Sequence, residues 1–116
     1  NLEKVNTCVK RLNLYRWGDS LPNGIYTSIG ELGGQISGGQ RQRIAIARAL
    51  YKDSEIFLFD EISNNLDEES KNEVLKTMHS LKEEGKTALF FTHNKEELKI
   101  CDVVYAIENQ QIIKKE

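Results

Sequence analysis

The chain has 116 residues, enough for one modest hydrophobic core and too few for two domains of ordinary size. Apolar residues make up 39% and charged residues 29%, which excludes a disordered tail, and the net charge of -2 lacks the basic excess of a nucleic-acid or anionic-membrane binder. Cys8 and Cys101 belong to no CxxC or Cys/His cluster, which argues against structural zinc, and no apolar run approaches the roughly 20 residues that span a bilayer.

Leu2, Val5, Cys8, Val9 and Leu12 recur at helical spacing with Lys4, Lys10 and Arg11 between them, predicting an amphipathic helix over residues 2–14. From Trp17 to Gly39 the chain carries Pro22 and glycines at 18, 24, 30, 33, 34, 38 and 39, a density of breakers that predicts connected loops and short turns without a strand. Helical character resumes over 40–52, with Ile44, Ala47 and Leu50 or Tyr51 on one side and Arg41, Arg48 and Lys52 on the other.

Ile56-Phe57-Leu58-Phe59 is a wholly apolar run ending at Asp60-Glu61, the pattern of a strand buried on both faces of a parallel sheet. Asp67 suits the N-cap of a helix over 68–84, with Glu68 and Glu69 near its positive end, Val74, Met78 and Leu81 on the core side, and Gly85 as the stop. Thr87 to Thr92 reads as a second buried strand. Asn94 and Glu97 have capping-box spacing, which leaves His93 between strand and helix. Val103–Ile107 and Gln111–Lys114 around Asn109-Gln110 predict an antiparallel hairpin. Strands alternating with helices make the class α/β.

The segment Ile36-Ser37-Gly38-Gly39-Gln40-Arg41-Gln42-Arg43 stands at a loop-to-helix junction, where unpaired amides and the helix dipole favour an anion and two glycines let a phosphate approach the backbone. Physics alone also permits a plain Gly-rich turn with Ser37 as helix N-cap. The longer run SGGQRQRIAIARAL, Ser37 to Leu50, resembles the signature motif and following helix of ABC transporter ATPases. Phe57-Leu58-Phe59-Asp60-Glu61 then resembles the family's Walker B strand, Ser63-Asn64-Asn65-Leu66-Asp67 its D-loop, and His93 its switch histidine. Thr27-Ser28-Ile29-Gly30-Glu31-Leu32-Gly33 resembles the loop ahead of the signature in ABC exporters, which lies near the membrane domains.

The resemblance implies a partial P-loop ATPase core with parallel strands and a C-terminal hairpin over 53–116, and part of the helical subdomain with the signature helix over 1–52. It implies roles as well. Glu61 and His93 would be catalytic, Asp60 would bind Mg²⁺, and Ser37, Gly38, Gly39 and Gln40 would contact ATP phosphates held by a second ATPase domain, with Asp67 in the D-loop. The expected partners are that second domain and the transporter's transmembrane domains, at the cytoplasmic face of a membrane, with no nucleic acid.

Asn64-Asn65 stands where the family usually has Ser-Ala, and Ile36 where the signature opens with Leu. Neither change removes a needed group. No GxxxxGK[ST] occurs in the chain, so the backbone cradle, the phosphate-binding lysine and the Mg²⁺-binding hydroxyl of the Walker A loop are not among its residues. Together with a first residue that is not Met, this leads to the expectation of a C-terminal fragment, inactive alone. The resemblance also places the Walker A strand between the Thr87–Thr92 and Val103–Ile107 strands, so the sheet is expected to be split, with edges open to self-association or strand swapping. Two other readings fit the motifs: a soluble ABC ATPase outside transport, and a non-catalytic half-domain that supplies its signature to a partner.

Overall fold

A computed structural model describes the backbone of residues 1–116 and the surroundings of every side chain except those of Glu31 and Gly33. Helix α1 (Leu2–Arg11) is capped by Asn1, whose side chain accepts the Lys4 N–H, and buries Cys8. A left-handed Asn13 turns the chain into the short α2 (Tyr15–Asp19). The breaker-rich stretch then runs through a 3₁₀ turn at Gly24–Tyr26, the single turn α3 (Ile29–Leu32) and a 3₁₀ turn at Gly33–Gln35, with no strand, as its glycines predict.

Helix α4 (Gly38–Tyr51) starts two residues earlier than its periodicity suggested, because Ser37 and Gln40 form a full capping box. Its buried residues are Ile46 and Leu50. The expected Ile44 and Ala47 lie half-buried against the core instead, and Tyr51 is exposed. The helix is covered on two sides, by α1 and by α5, and a single apolar stripe could not show that. Arg43 reaches back to the carbonyls of Leu12 and Asn13 at 3.4 and 3.5 Å, fastening α4 to the end of α1.

Strand β1 (Ile56–Asp60) pairs in parallel with β2 (Thr87–Phe91), from Ile56 opposite Thr87 to Asp60 opposite Phe91. The connection is α5 (Glu68–Glu83), which buries Val74, Met78 and Leu81 as its pattern predicts. Each of these side chains contributes about 1.5–3 kcal/mol by leaving water. Left-handed Gly85 ends α5 in a Schellman motif, with its own N–H on Lys82 O and the Lys86 N–H on Leu81 O, both at 3.0 Å.

The strands are not buried on both faces. Phe57 and Phe59 turn into the core, where Phe59 stacks on Phe90 at 5.3 Å between centroids, but Ile56, Leu58, Leu89 and Phe91 are exposed on the other face. A run of apolar residues records demand for cover on both sides; only one side is covered among the described residues.

After α6 (Lys95–Lys99), strands β3 (Val104–Glu108) and β4 (Gln111–Lys115) form the expected antiparallel hairpin. Asn109 and Gln110 both take positive φ, 50° and 63°, the requirement of a type I′ turn whose twist matches the strands. The hairpin is a separate two-stranded sheet, and every residue of β4 is exposed. One apolar cluster runs from Cys8, Leu12 and Leu14 through Ile46, Leu50, Phe57 and Phe59 to Val74, Met78 and Leu81. The architecture is α/β, a parallel pair with helices on one face and a detached hairpin. No helix among the described residues is long and apolar enough to cross a membrane.

Candidate functional site

The C-terminal ends of β1 and β2 bring together the acids and the histidine that the motifs singled out. Asp60, the last residue of β1, is exposed and lies opposite Phe91. Glu61 follows with a left-handed φ of 47°, uncommon for a residue other than glycine, asparagine or aspartate, and its N–H bonds Phe91 O at 2.9 Å. This bend sends the Glu61 carboxylate toward the loop after β2, where its Oε1 lies 3.2 Å from His93 Nδ1. Both side chains stay open to solvent.

Asn64 completes this arrangement. Its Nδ2 donates to Glu61 Oε2 at 2.6 Å, so each carboxylate oxygen has one partner and keeps lone-pair capacity for a water. The substitution of Asn for the usual small D-loop residue looked inconsequential in sequence, yet its amide touches the principal acid. The three-residue spacing from Glu61 is a signal the sequence carried, but only the turn geometry makes the contact. Left-handed Asn65 (φ 58°) then lets the chain enter α5.

A second layer lies beneath. Ser63 Oγ donates to Glu97 Oε1, and Asn94 Nδ2 donates to Ser63 Oγ at 3.0 Å. The capping-box reading of Asn94 and Glu97 is therefore half right. Asn94 caps α6 by accepting the Glu96 N–H at 2.9 Å, but the Glu97 carboxylate turns inward to Ser63 and is buried.

The start of α4 is a separate locus. Ser37 Oγ accepts the Gln40 N–H at 3.1 Å and Gln40 Oε1 accepts the Ser37 N–H at 3.0 Å, which leaves the Gly38 and Gly39 amides without partners among the described residues. The Ser37 hydroxyl, already accepting, still has its hydrogen to donate. The two glycines differ in purpose. A Cβ at Gly38 would meet nothing within 4 Å, whereas one at Gly39 would overlap Ser70 Oγ and stand 3.0 Å from Ser70 Cβ. Gly39 is thus demanded by the close packing of α4 on the start of α5, and Gly38 is the one whose backbone faces open space.

Asp67 stands next to this second locus, not beside Glu61. Its carboxylate N-caps α5 by accepting the Ser70 N–H at 3.0 Å, and the hydrogen bonds from Ser70 hold it below the usual aspartate range. Among the described residues no hydrogen bond or ion pair joins Ser37–Gln40 to the Asp60, Glu61 and His93 group. An apolar cavity of about 250 Å³ lies elsewhere, between α1, α2 and α4, lined in part by Val9, Leu14, Trp17 and Ile44.

With this geometry in place, comparison with known proteins is informative. Residues 4–64, just over half of the chain, match the family model described as ABC transporter. P-glycoprotein 14 of Caenorhabditis elegans is 40% identical over 111 residues, covering 96% of this chain and 8% of that protein. The ATP-dependent lipid A-core flippase of Saccharophagus degradans is 38% identical over 110 residues, covering 95% of this chain and 19% of the flippase. The flippase of the same name from Ralstonia nicotianae is 42% identical over 95 residues, 82% of this chain and 16% of the relative. The chain therefore spans less than a fifth of the length of these relatives. A family match that covers residues 37–50 and the strand ending in Asp60, on an α/β fold that sets Glu61, the next residue, 3.2 Å from His93, leads to one conclusion: the chain belongs to the ABC transporter family.

Proposed function

We propose that this chain is the C-terminal part of an ABC ATPase that powers export across a membrane by ATP hydrolysis, with residues 1–52 in its helical subdomain and residues 53–116 in its ATPase core. The observation that carries the reading is the Glu61–His93 pair at 3.2 Å, beside Asp60 at one end of a parallel strand pair. The names of the relatives, an ATP-dependent flippase and a P-glycoprotein, favour export over an ABC ATPase outside transport. The exporter-like stretch Thr27–Gly33 favours it too, and the neighbouring exposed Tyr26 and Ile29 suit a contact with membrane domains at the cytoplasmic face.

The residues present fit ATP and Mg²⁺. Mg²⁺ takes one or two carboxylates and fills its remaining positions with water and phosphate oxygens, so exposed Asp60 suffices without a dedicated cluster. Mg²⁺–ATP, when bound, supplies the phosphoanhydride to be cleaved and charge neutralisation at its phosphates. Glu61 then accepts a hydrogen bond from the attacking water and orients it, while Asn64 and His93 hold the two carboxylate oxygens. The Ser37 hydroxyl and the Gly38 and Gly39 amides, at the positive end of a 14-residue helix, would donate to phosphate gripped by a second ATPase domain, with Gln40 closing the cap of that helix and Asp67 capping α5 next to it. The Walker A loop comes from residues outside this chain, and the chain alone neither holds nor hydrolyses ATP.

Glu61→Gln in the complete protein tests the assignment. Turnover should fall by about a hundredfold or more with nucleotide affinity retained. Equal turnover of variant and parent would remove Glu61 as the base, and a parent with no nucleotide affinity would favour the non-catalytic half-domain.

A second reading concerns the chain by itself. Leu58 and Leu89 on the strand pair, at 69% and 48% exposure, and Ile107 and Ile112 on the hairpin, at 77% and 74%, lie on two uncovered apolar sheets with free edges. Pairing with a second copy would cover them. Sedimentation equilibrium should show association that rises with concentration, and a monomer throughout would exclude it.

A further inference from the structure

Glu97 has no role in the chemistry described above, yet it is 1% exposed, and its Oε2 is buried with no hydrogen-bond partner among the described residues. A buried carboxylate with an orphan oxygen costs folding free energy, and such groups persist where the structure needs the oxygen that is engaged. Here that is Oε1, which accepts from Ser63 Oγ, while Asn94 Nδ2 donates to the same hydroxyl at 3.0 Å. Ser63 lies two residues beyond Glu61 in the same turn, and Asn94 adjoins His93. Buried Ser63 and Glu97 with half-buried Asn94 therefore join, from below, the two segments that meet at the surface as Glu61 and His93.

We infer that Glu97 is a positioning residue, a buried latch that fixes the Glu61 turn against the His93 loop through Ser63 and Asn94. The turn needs such a restraint. Glu61 is held at a φ of 47°, a conformation that persists only where its surroundings over-determine it. The backbone supplies part of that restraint through Glu61 N–H to Phe91 O at 2.9 Å and Asn64 N–H to Glu61 O at 3.2 Å. Asn64 and His93 hold the carboxylate itself, and the Ser63 hydroxyl donating to Glu97 restrains the turn from below. Without that bond Ser63 keeps the Asn94 contact but loses its anchor in the interior, and the turn that aims the Glu61 carboxylate at His93 loosens.

This inference rests on the proposed catalytic role of Glu61, and two readouts on the complete protein separate the two ideas. Glu97→Ala should lower kcat by about tenfold or more with KM for ATP within about twofold, because orientation and not binding is lost. Ser63→Ala, which removes the donor at the other end, should reproduce the loss, and the double variant should be no worse than Glu97→Ala. Glu97→Gln, which keeps an acceptor at Oε1, should recover kcat to within about threefold of the parent. Hydrogen exchange should speed up in peptides covering 60–66 and 91–94 while the α5 peptides keep the parental rate. Parental kcat in Glu97→Ala, failure of Glu97→Gln to rescue, or faster exchange across α5 as well would each overturn the latch. Where turnover does not depend on Glu61, the catalytic reading itself has failed, and exchange decides alone: unchanged rates at 60–66 sink the latch, and local loosening upholds it.

Discussion

The strand pair β1–β2 and the hairpin β3–β4 are similar in sequence, each a set of five-residue strands rich in aliphatic and aromatic residues, and they end in different physical states. Phe57 and Phe59 are nearly sealed in a cluster with Val74, Met78 and Leu81, because α5 crosses over one face of the pair and Gly85 returns the chain to it. Ile107 and Ile112 stand opposite each other in register and remain largely exposed, because among the described residues the hairpin pairs with no other strand. An apolar strand is a requirement for cover, and the connection that follows it decides whether the cover arrives.

The sharpest way to break this contrast is truncation on each side of it. Leu81→Ala removes a side chain at 1% exposure and should cost about 2–5 kcal/mol, whereas Ile112→Ala should cost about 0.5 kcal/mol or less. Chemical denaturation read by circular dichroism measures both; similar losses would mean that the hairpin is covered in solution. Next in size is the pair of glycines. Gly39→Ala drives a methyl group into Ser70 and should destabilise by about 1–3 kcal/mol, while Gly38→Ala should leave folding within about 0.5 kcal/mol. Partial relief of Gly39→Ala by Ser70→Gly would locate the clash.

The smallest effect is electrostatic. The Asp67 pKa lies below its ordinary 3.8 because Ser70 donates to its carboxylate. A lowered folded-state pKa gives stability that is fully present above the unfolded value and is lost as pH falls through the folded one. Thermal unfolding followed from pH 5 down to 3 should therefore show the parent losing its advantage over Asp67→Asn, with the two converging at the acid end. Parallel curves would mean that Asp67 does not cap α5 in solution.

Much of the candidate site was legible in one dimension. Ser37, Gly38, Asp60, Glu61 and His93 sit at junctions between periodic segments, and such junctions carry chemistry because backbone groups and strand ends are exposed there. The cap at Asp67, the stop at Gly85 and the turn at Asn109-Gln110 were equally plain, since each depends on a few adjacent residues. The Ser63–Glu97–Asn94 trio was hidden, because it joins residues about thirty positions apart and local spacing offered Glu97 a competing use as a cap partner. The packing demand at Gly39 was hidden for the same reason: its neighbour Ser70 is remote in sequence.

The sequence by itself determined which segments form the long helices and the strands, to within two or three residues at their ends, and which short motifs stand between them, because periodicity, caps and turn conformations are properties of neighbouring residues. Tertiary structure alone decided which strand face was covered, which glycine was required by packing, and which carboxylate entered the interior. Those outcomes depend on what each residue meets across space, and burial and hydrogen bonding are settled only when distant segments compete for the same partners.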